Sequence, residues 1–439
     1  MSPQSTAETA ELMRRPDVEL GSIFEERESA VRSYCRSFPA LFTSATGALL
    51  HDADGRSYID FLAGAGALNY GHNHETLKAA LVDYIAGDGV THALDLHTAA
   101  KERFLRELTT RILEPRGLDH RVQFTGPTGT NAVEAAFKVA RKATGRTGIV
   151  AFMGGYHGHS LGSLAATANL EHRAAAGVPL GNVTFLPFPG GGPTGQFESL
   201  GYLRAILADS HSGVELPAAV IVETVQAEGG VNVAPAEWLL ELRALCDEHA
   251  ILLIIDEIQT GCGRTGPFFS FERAGIVPDI ITLSKSISGY GLPMAISLIR
   301  PAFDVWKPAE HTGTFRGNQL AFVTAAAALA VWEDEGIEEG TRTRAGIVHD
   351  ELTRAVASLD PRLEIRGIGL IWGIDTAGID PTGALARSIS SRCFADGLII
   401  ERTGRNDTVL KILPPLTIDE RTLRDGLGIL AAATATCLS

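Results

Sequence analysis

Apolar and polar positions alternate between two registers from about residue 75 to residue 325. Short, almost unbroken apolar runs stand at 148–153 (GIVAFM), 218–225 (AAVIVETV), 252–257 (LLIIDE) and 280–285 (IITLSK). Helical periods separate them. Asn131–Ala143 places Val133, Ala136, Phe137 and Ala140 on one face, and PAEWLLELRALCDEHA opens on Pro235, where a missing N–H is no loss. Strands that are apolar throughout, joined through helices, predict a parallel sheet covered on both faces. Upstream, residues 45–62 predict two short strands around an Asp-Gly-type turn. Downstream of a helix at 321–336 the register changes to strand, helix, strand, strand, helix, which predicts a smaller α+β unit.

This pattern divides the chain into an arm over 1–20, an N-terminal segment of the small domain over 21–70, a large domain over 71–325 and a C-terminal small-domain segment over 326–439. The Gly/Pro-rich stretch 187–195 predicts a loop, because no strand-to-helix context surrounds it. At 439 residues the chain exceeds what one small core organises. Its net charge of −14 excludes the basic surface that nucleic acid requires. Five scattered cysteines without a CxxC pair read as reduced thiols, and the polar first residues lack the apolar stretch of a signal peptide. Both predict a cytoplasmic protein. The GHNH at 71–74 has no third ligand at metal spacing, so no metal is expected.

Two of the apolar runs end in charge. Ile251–Ile255 leads straight into Asp256 and Glu257, and the run at 280–283 leads to Lys285 between serines. Ligands of open parallel sheets gather at the carboxyl ends of strands. A carboxylate and an amine placed there together suit pyridoxal phosphate, which needs a lysine for attachment and an acid to keep its ring nitrogen protonated. Thr128, Gly129, Thr130 and Asn131 open a helix, whose free N–H groups and dipole favour an anion. Tyr156, in GGYHGHS, offers an aromatic plane.

The blocks VETVQAEGGV, LLIIDEIQTGCGRTG, ITLSKSISGYGLP, YHG and GTFRGNQLA resemble the signature blocks of the class III aminotransferases of fold-type I, in order and spacing, from about Ser22 to the C-terminus. The resemblance implies an α/β fold with a large, mostly parallel seven-stranded sheet domain and a smaller α+β domain built from both chain ends. It implies pyridoxal phosphate on Lys285 as Schiff-base lysine and proton shuttle, with Asp256 at the pyridine nitrogen and Gln259 at the phenolic oxygen. Tyr156 would stack on the ring, with His157 beside it. Gly129 and Thr130 would hold the phosphate, joined by Thr314 of a neighbouring subunit in a homodimer or dimer of dimers.

Within the class, VRSYCRSFP, FLAGAGALNYGHNH, LDLHTAAK and GTFRGNQLAFVTAA resemble the group that exchanges the terminal amine of 2,4-diaminobutyrate with 2-oxoglutarate, used in ectoine synthesis and by relatives in siderophore and antibiotic pathways. Lys411, in VLKILPPL, stands where many members carry arginine, as it does in that group. The resemblance makes Glu228 a gate that pairs with Lys411. His159 stands where some terminal-amine aminotransferases place an arginine, and Ile368 and Trp372 differ from the group's pattern, either reshaping the substrate entrance or marking drift in a core strand. Other terminal-amine substrates, ornithine or 4-aminobutyrate, stay open at this point.

Overall fold

The computed structural model describes residues 22–190 and 197–439, so the predicted N-terminal arm, and the predicted 187–195 loop beyond Gly190, lie outside the described residues. At the centre is a seven-stranded sheet. Its strands run, in spatial order, Arg121–Phe124, Ile296–Ile299, Ile280–Leu283, Leu252–Asp256, Ala219–Val222, Ile149–Phe152 and Val183–Leu186. Ile296–Ile299 is antiparallel to both neighbours, and the remaining pairs are parallel. The mostly parallel sheet is therefore present.

Its strands are apolar throughout because each face meets its own core. Val150, Val220, Leu253, Ile255 and Ile281 pack into one cluster with Leu239, Leu242 and Leu245 of the Ala236–Glu248 helix. The alternate residues Ile149, Ala151, Ile221, Ile254 and Ile280 pack into another with Val133, Ala136, Phe137 and Ala140 of the Gly129–Thr144 helix. The helix face read from the sequence is thus the face that is buried, and the two-residue alternation of each strand feeds both sides.

Residues near both chain ends form two lesser sheets. Phe42–Thr46, Leu49–Asp52 and Ser57–Asp60 join Leu398–Ile399, while Glu364–Ile368, Ile371–Asp375, Val409–Ile412 and Glu401–Thr403 form the other. The stretch 363–375 is a hairpin rather than the one strand expected. Gly369, at φ +57°, turns the chain there, and a Cβ would come within 2.4 Å of the Arg264 carbonyl.

Arg264 ties these pieces together. It is fully buried and donates to the carbonyls of Leu370 (2.9 Å) and Pro414 (2.5 Å) and to Asn69 Oδ1 (2.5 Å). Burial pulls its guanidinium pKa down to about 9. Arg264→Met is expected to leave three buried acceptors without donors, at a cost on the order of 3 kcal/mol. A urea unfolding midpoint equal to that of the parent would show that these bonds contribute nothing.

Candidate active site

Asp256 is the last residue of its strand and Lys285 lies two residues beyond the neighbouring one, so both side chains reach the same sheet edge. A cavity of about 320 Å³ opens there, and Gly129, Thr130, Tyr156, His157, Glu228, Asp256, Gln259 and Lys285 all line it. Eight of the ten residues to which the resemblance gives cofactor or substrate roles therefore meet in one space. Lys411 lies just behind its wall, against Glu228. Thr314 is elsewhere, its carbonyl accepting from His92 (2.9 Å), and one chain alone does not bring it to the cavity.

Lys285 adopts φ +51°, rare for a side-chain-bearing residue. The flanking serines hold that turn in place. Ser284 Oγ donates to the Met294 carbonyl (2.8 Å), and Ser286 Oγ donates to the Gly66 carbonyl (2.8 Å) while accepting from Asn69 N (3.1 Å). Burial lowers the pKa of the Lys285 ammonium, and the Lys411 charge adds to that fall, so its neutral amine is within reach.

Asp256 Oδ2 accepts from His157 Nδ1 (2.7 Å), while Oδ1 accepts from Thr282 Oγ1 and Ile258 N (both 3.1 Å). Three donors thus fix the orientation of the carboxyl group. Burial opposes a charge on His157, but the Asp256 carboxylate outweighs it and raises the imidazole pKa. Glu223 accepts from Tyr156 N (2.9 Å) and so fixes the tyrosine backbone at the cavity wall. Burial lifts the Glu223 carboxyl to about 7 and the Tyr156 hydroxyl to about 12.

The Gly129–Thr144 helix points its N-terminus into the cavity beside Thr128 and Thr130. A Cβ on Gly129 would meet the Ile258 side chain at 2.9 Å, so the packing there calls for glycine. An anion cradle, an amine with a lowered pKa and an acid with its own histidine partner fit a phosphate-bearing pyridine cofactor.

Opposite the cradle, Lys411 is fully buried between two carboxylates, 2.6 Å from Glu228 Oε1 and 2.9 Å from Glu401 Oε1. Its Nζ also donates to Gln259 Oε1 (3.1 Å), and Gln259 Nε2 donates to Glu228 Oε1 (3.1 Å). The Tyr34 hydroxyl donates to Glu401 Oε2 (3.2 Å). Glu401 and Tyr34 were not singled out in the sequence. The signal available for Glu401 was its three-residue strand opposite Lys411, which becomes visible only once Glu401–Thr403 and Val409–Ile412 are paired.

Glu257, the second acid of the strand end, serves the fold. It accepts from Ser270 Oγ (2.6 Å), Ser270 N and Phe271 N, and burial raises its carboxyl to about 7. Of the three departures, His159 lines the cavity mouth with its ring 5.6 Å from Tyr156 and 4.7 Å from His172. Trp372 packs into the main core and Ile368 against the Val225 cluster, which favours the core-strand reading for both.

A strand-end lysine and acid on a mostly parallel sheet, facing a helix-capped anion cradle, define a transferase of the pyridoxal-phosphate type in fold and site. The class-III aminotransferase family model matches residues 31–434, and the chain belongs to that family, which acts on small amino and keto acids. It is 53% identical over 412 residues, 94% of this chain and 95% of the relative, to a diaminobutyrate–2-oxoglutarate transaminase of Wolinella succinogenes. In structure it is similar to the ornithine aminotransferase of Toxoplasma gondii (TM-score 0.84, 26% identity, 100% of this chain and 98% of that one). It is also similar to an amine transaminase of an uncultivated Pseudomonas species in its PLP-bound form (TM-score 0.82, 25% identity, 94% and 98%). Among the described residues no helix is long and apolar enough to cross a membrane.

Proposed function

We propose that this chain is a cytoplasmic pyridoxal-phosphate aminotransferase that moves the terminal amino group between L-2,4-diaminobutyrate and 2-oxoglutarate, forming aspartate 4-semialdehyde and glutamate in the reverse sense to synthesis. The observation that carries the substrate is the likeness over nearly the whole chain to a relative of that activity, together with the buried Lys411 where many relatives carry arginine. Ectoine synthesis is the pathway this activity suits.

Lys285 would carry the cofactor, Asp256 would hold the ring nitrogen with His157 behind it, and Tyr156 would cover the ring face. Gln259 would meet the phenolic oxygen. The N–H groups of Gly129 and Thr130 would bind the phosphate, completed by the partner's Thr314 in a homodimer. When bound, pyridoxal phosphate supplies a cationic ring that withdraws electrons from the carbon bearing the transferred amine. This chain's residues do the rest. Lys285 Nζ takes the proton from C4 of diaminobutyrate and returns one on the acceptor's side. Asp256 keeps the opposing proton on the ring nitrogen, and the cavity walls exclude water.

The two substrates place different charges in one pocket. Diaminobutyrate enters by its terminal amine and leaves its α-carboxylate and α-ammonium outward. Glutamate enters by its α-amine and brings a side-chain carboxylate inward. Glu228, held near Lys411 with its carboxyl down at about 2 despite burial, would close on Lys411 for the first and give way to the ligand carboxylate for the second. A screen of amine donors with 2-oxoglutarate tests the reading. Diaminobutyrate should give the highest kcat/KM, and ornithine or 4-aminobutyrate far above it would refute the substrate.

A further inference from the structure

Behind the wall that Glu228 gives the cavity lies more acid than the gate needs. Glu228 and Glu401 both lie against Lys411, at 2.6 and 2.9 Å, and Lys411 has no exposed surface. The groups that face Glu401 from the elements around it are Lys411, Glu228, the Tyr34 hydroxyl and, further off, Lys285. One ammonium cannot neutralise two carboxylates. The other cation, Lys285, is the group committed to the cofactor and to proton transfer.

The two acids share Lys411 unequally. Glu228 is the one drawn well down, while burial, only partly offset by Lys411, leaves the Glu401 carboxyl raised. Glu401 Oε1 is buried and, although Lys411 is close, lacks a hydrogen bond of good geometry. Its other oxygen accepts from the hydroxyl of Tyr34, a residue 51% exposed. Burial and the two glutamates raise the Tyr34 pKa, so it stays a neutral donor. Glu401 is therefore an acid that lacks a full cation, behind a side chain that a ligand can displace.

We propose that Glu401 is the counter-ion for the outward α-ammonium of the diamino acid, which takes the place of the Tyr34 hydroxyl, and that Glu401 thereby sets the preference for a diamino acid over an amino acid without that ammonium. The assignment rests on the reaction proposed above. 2,4-Diaminobutyrate and 4-aminobutyrate are a matched pair for it, since they differ only by the α-ammonium. A dicarboxylate has no cation for this position, and for it Glu401 is only a repulsive charge beside Lys411.

The test is Glu401→Gln, of equal shape, studied as holoenzyme. The ratio of kcat/KM for diaminobutyrate to that for 4-aminobutyrate, both with 2-oxoglutarate, is expected to fall about tenfold or more. Binding of glutarate, an unreactive dicarboxylate, read by calorimetry, is expected to hold or tighten. An unchanged ratio overturns the assignment, and so does a parallel loss of glutarate binding, which would mark general damage. Should Glu401→Gln fail to fold, Tyr34→Phe decides. Removing the competing hydroxyl should hold or raise the ratio, and a fall overturns the assignment. A parent enzyme that prefers 4-aminobutyrate overturns the proposed reaction as well. A diaminobutyrate-specific parent whose ratio survives Glu401→Gln overturns this assignment alone.

Discussion

Lys285→Ala protein is expected to be colourless after purification and to lose at least about 10⁴-fold in turnover, because one amine both attaches the cofactor and moves the substrate proton. The structure explains why no neighbour replaces it. Lys285 projects from a left-handed turn that Ser284 and Ser286 tie to Met294 and Gly66, which aims it into the cavity. The other lysine at this site, Lys411, is locked between Glu228 and Glu401, and their charges raise its pKa against burial. It remains an ammonium and cannot act as nucleophile or base. The parent protein should be yellow, and borohydride reduction should leave the cofactor mass on the peptide containing Lys285. Reduction onto any other lysine, or a yellow Lys285→Ala protein with normal turnover, would overturn the assignment.

What the sequence made legible is what local pattern encodes. The apolar runs located the sheet because strands covered on both faces carry no polar alternation, and the charges that end two of them marked the site edge. Asp256 and Glu257 show the limit. They are adjacent and chemically alike, yet successive strand residues point to opposite faces, so one turns to the cavity and the other to Ser270. Glu401 and Tyr34 were illegible for a different reason. Their meeting joins positions 367 residues apart, and only strand pairing near the C-terminus brings Glu401 opposite Lys411. For Trp372 the sequence left a core place and an entrance place both open, because a residue's strand does not reveal which side of a hairpin faces the core. The indole N–H bonds the Gly369 carbonyl (2.8 Å) within its own turn, and the ring packs in the core.

Asp256→Asn is the sharper test of the chemistry, since it should keep the fold and the cofactor while slowing proton removal by about 10²–10³-fold. The new amide has the shape of the carboxylate. Its oxygen can still accept from Thr282 Oγ1 and Ile258 N, both 3.1 Å away. His157 should follow rather than clash. Its pKa is raised chiefly by the bond and charge of Asp256 working against burial, so without that charge burial prevails and the ring becomes neutral. A neutral imidazole can then turn an unprotonated Nδ1 toward the amide N–H. The site thus stays packed but loses the one negative charge that favours a proton on the ring nitrogen. A single-turnover measurement by stopped-flow, with diaminobutyrate as the amine, isolates the step. The substrate C4–H bond should limit it, so deuterium at C4 should slow the variant visibly. Near-parental single-turnover rates with full cofactor occupancy would mean that Asp256 only shapes the cavity, and that the ring proton is held by another group of this wall.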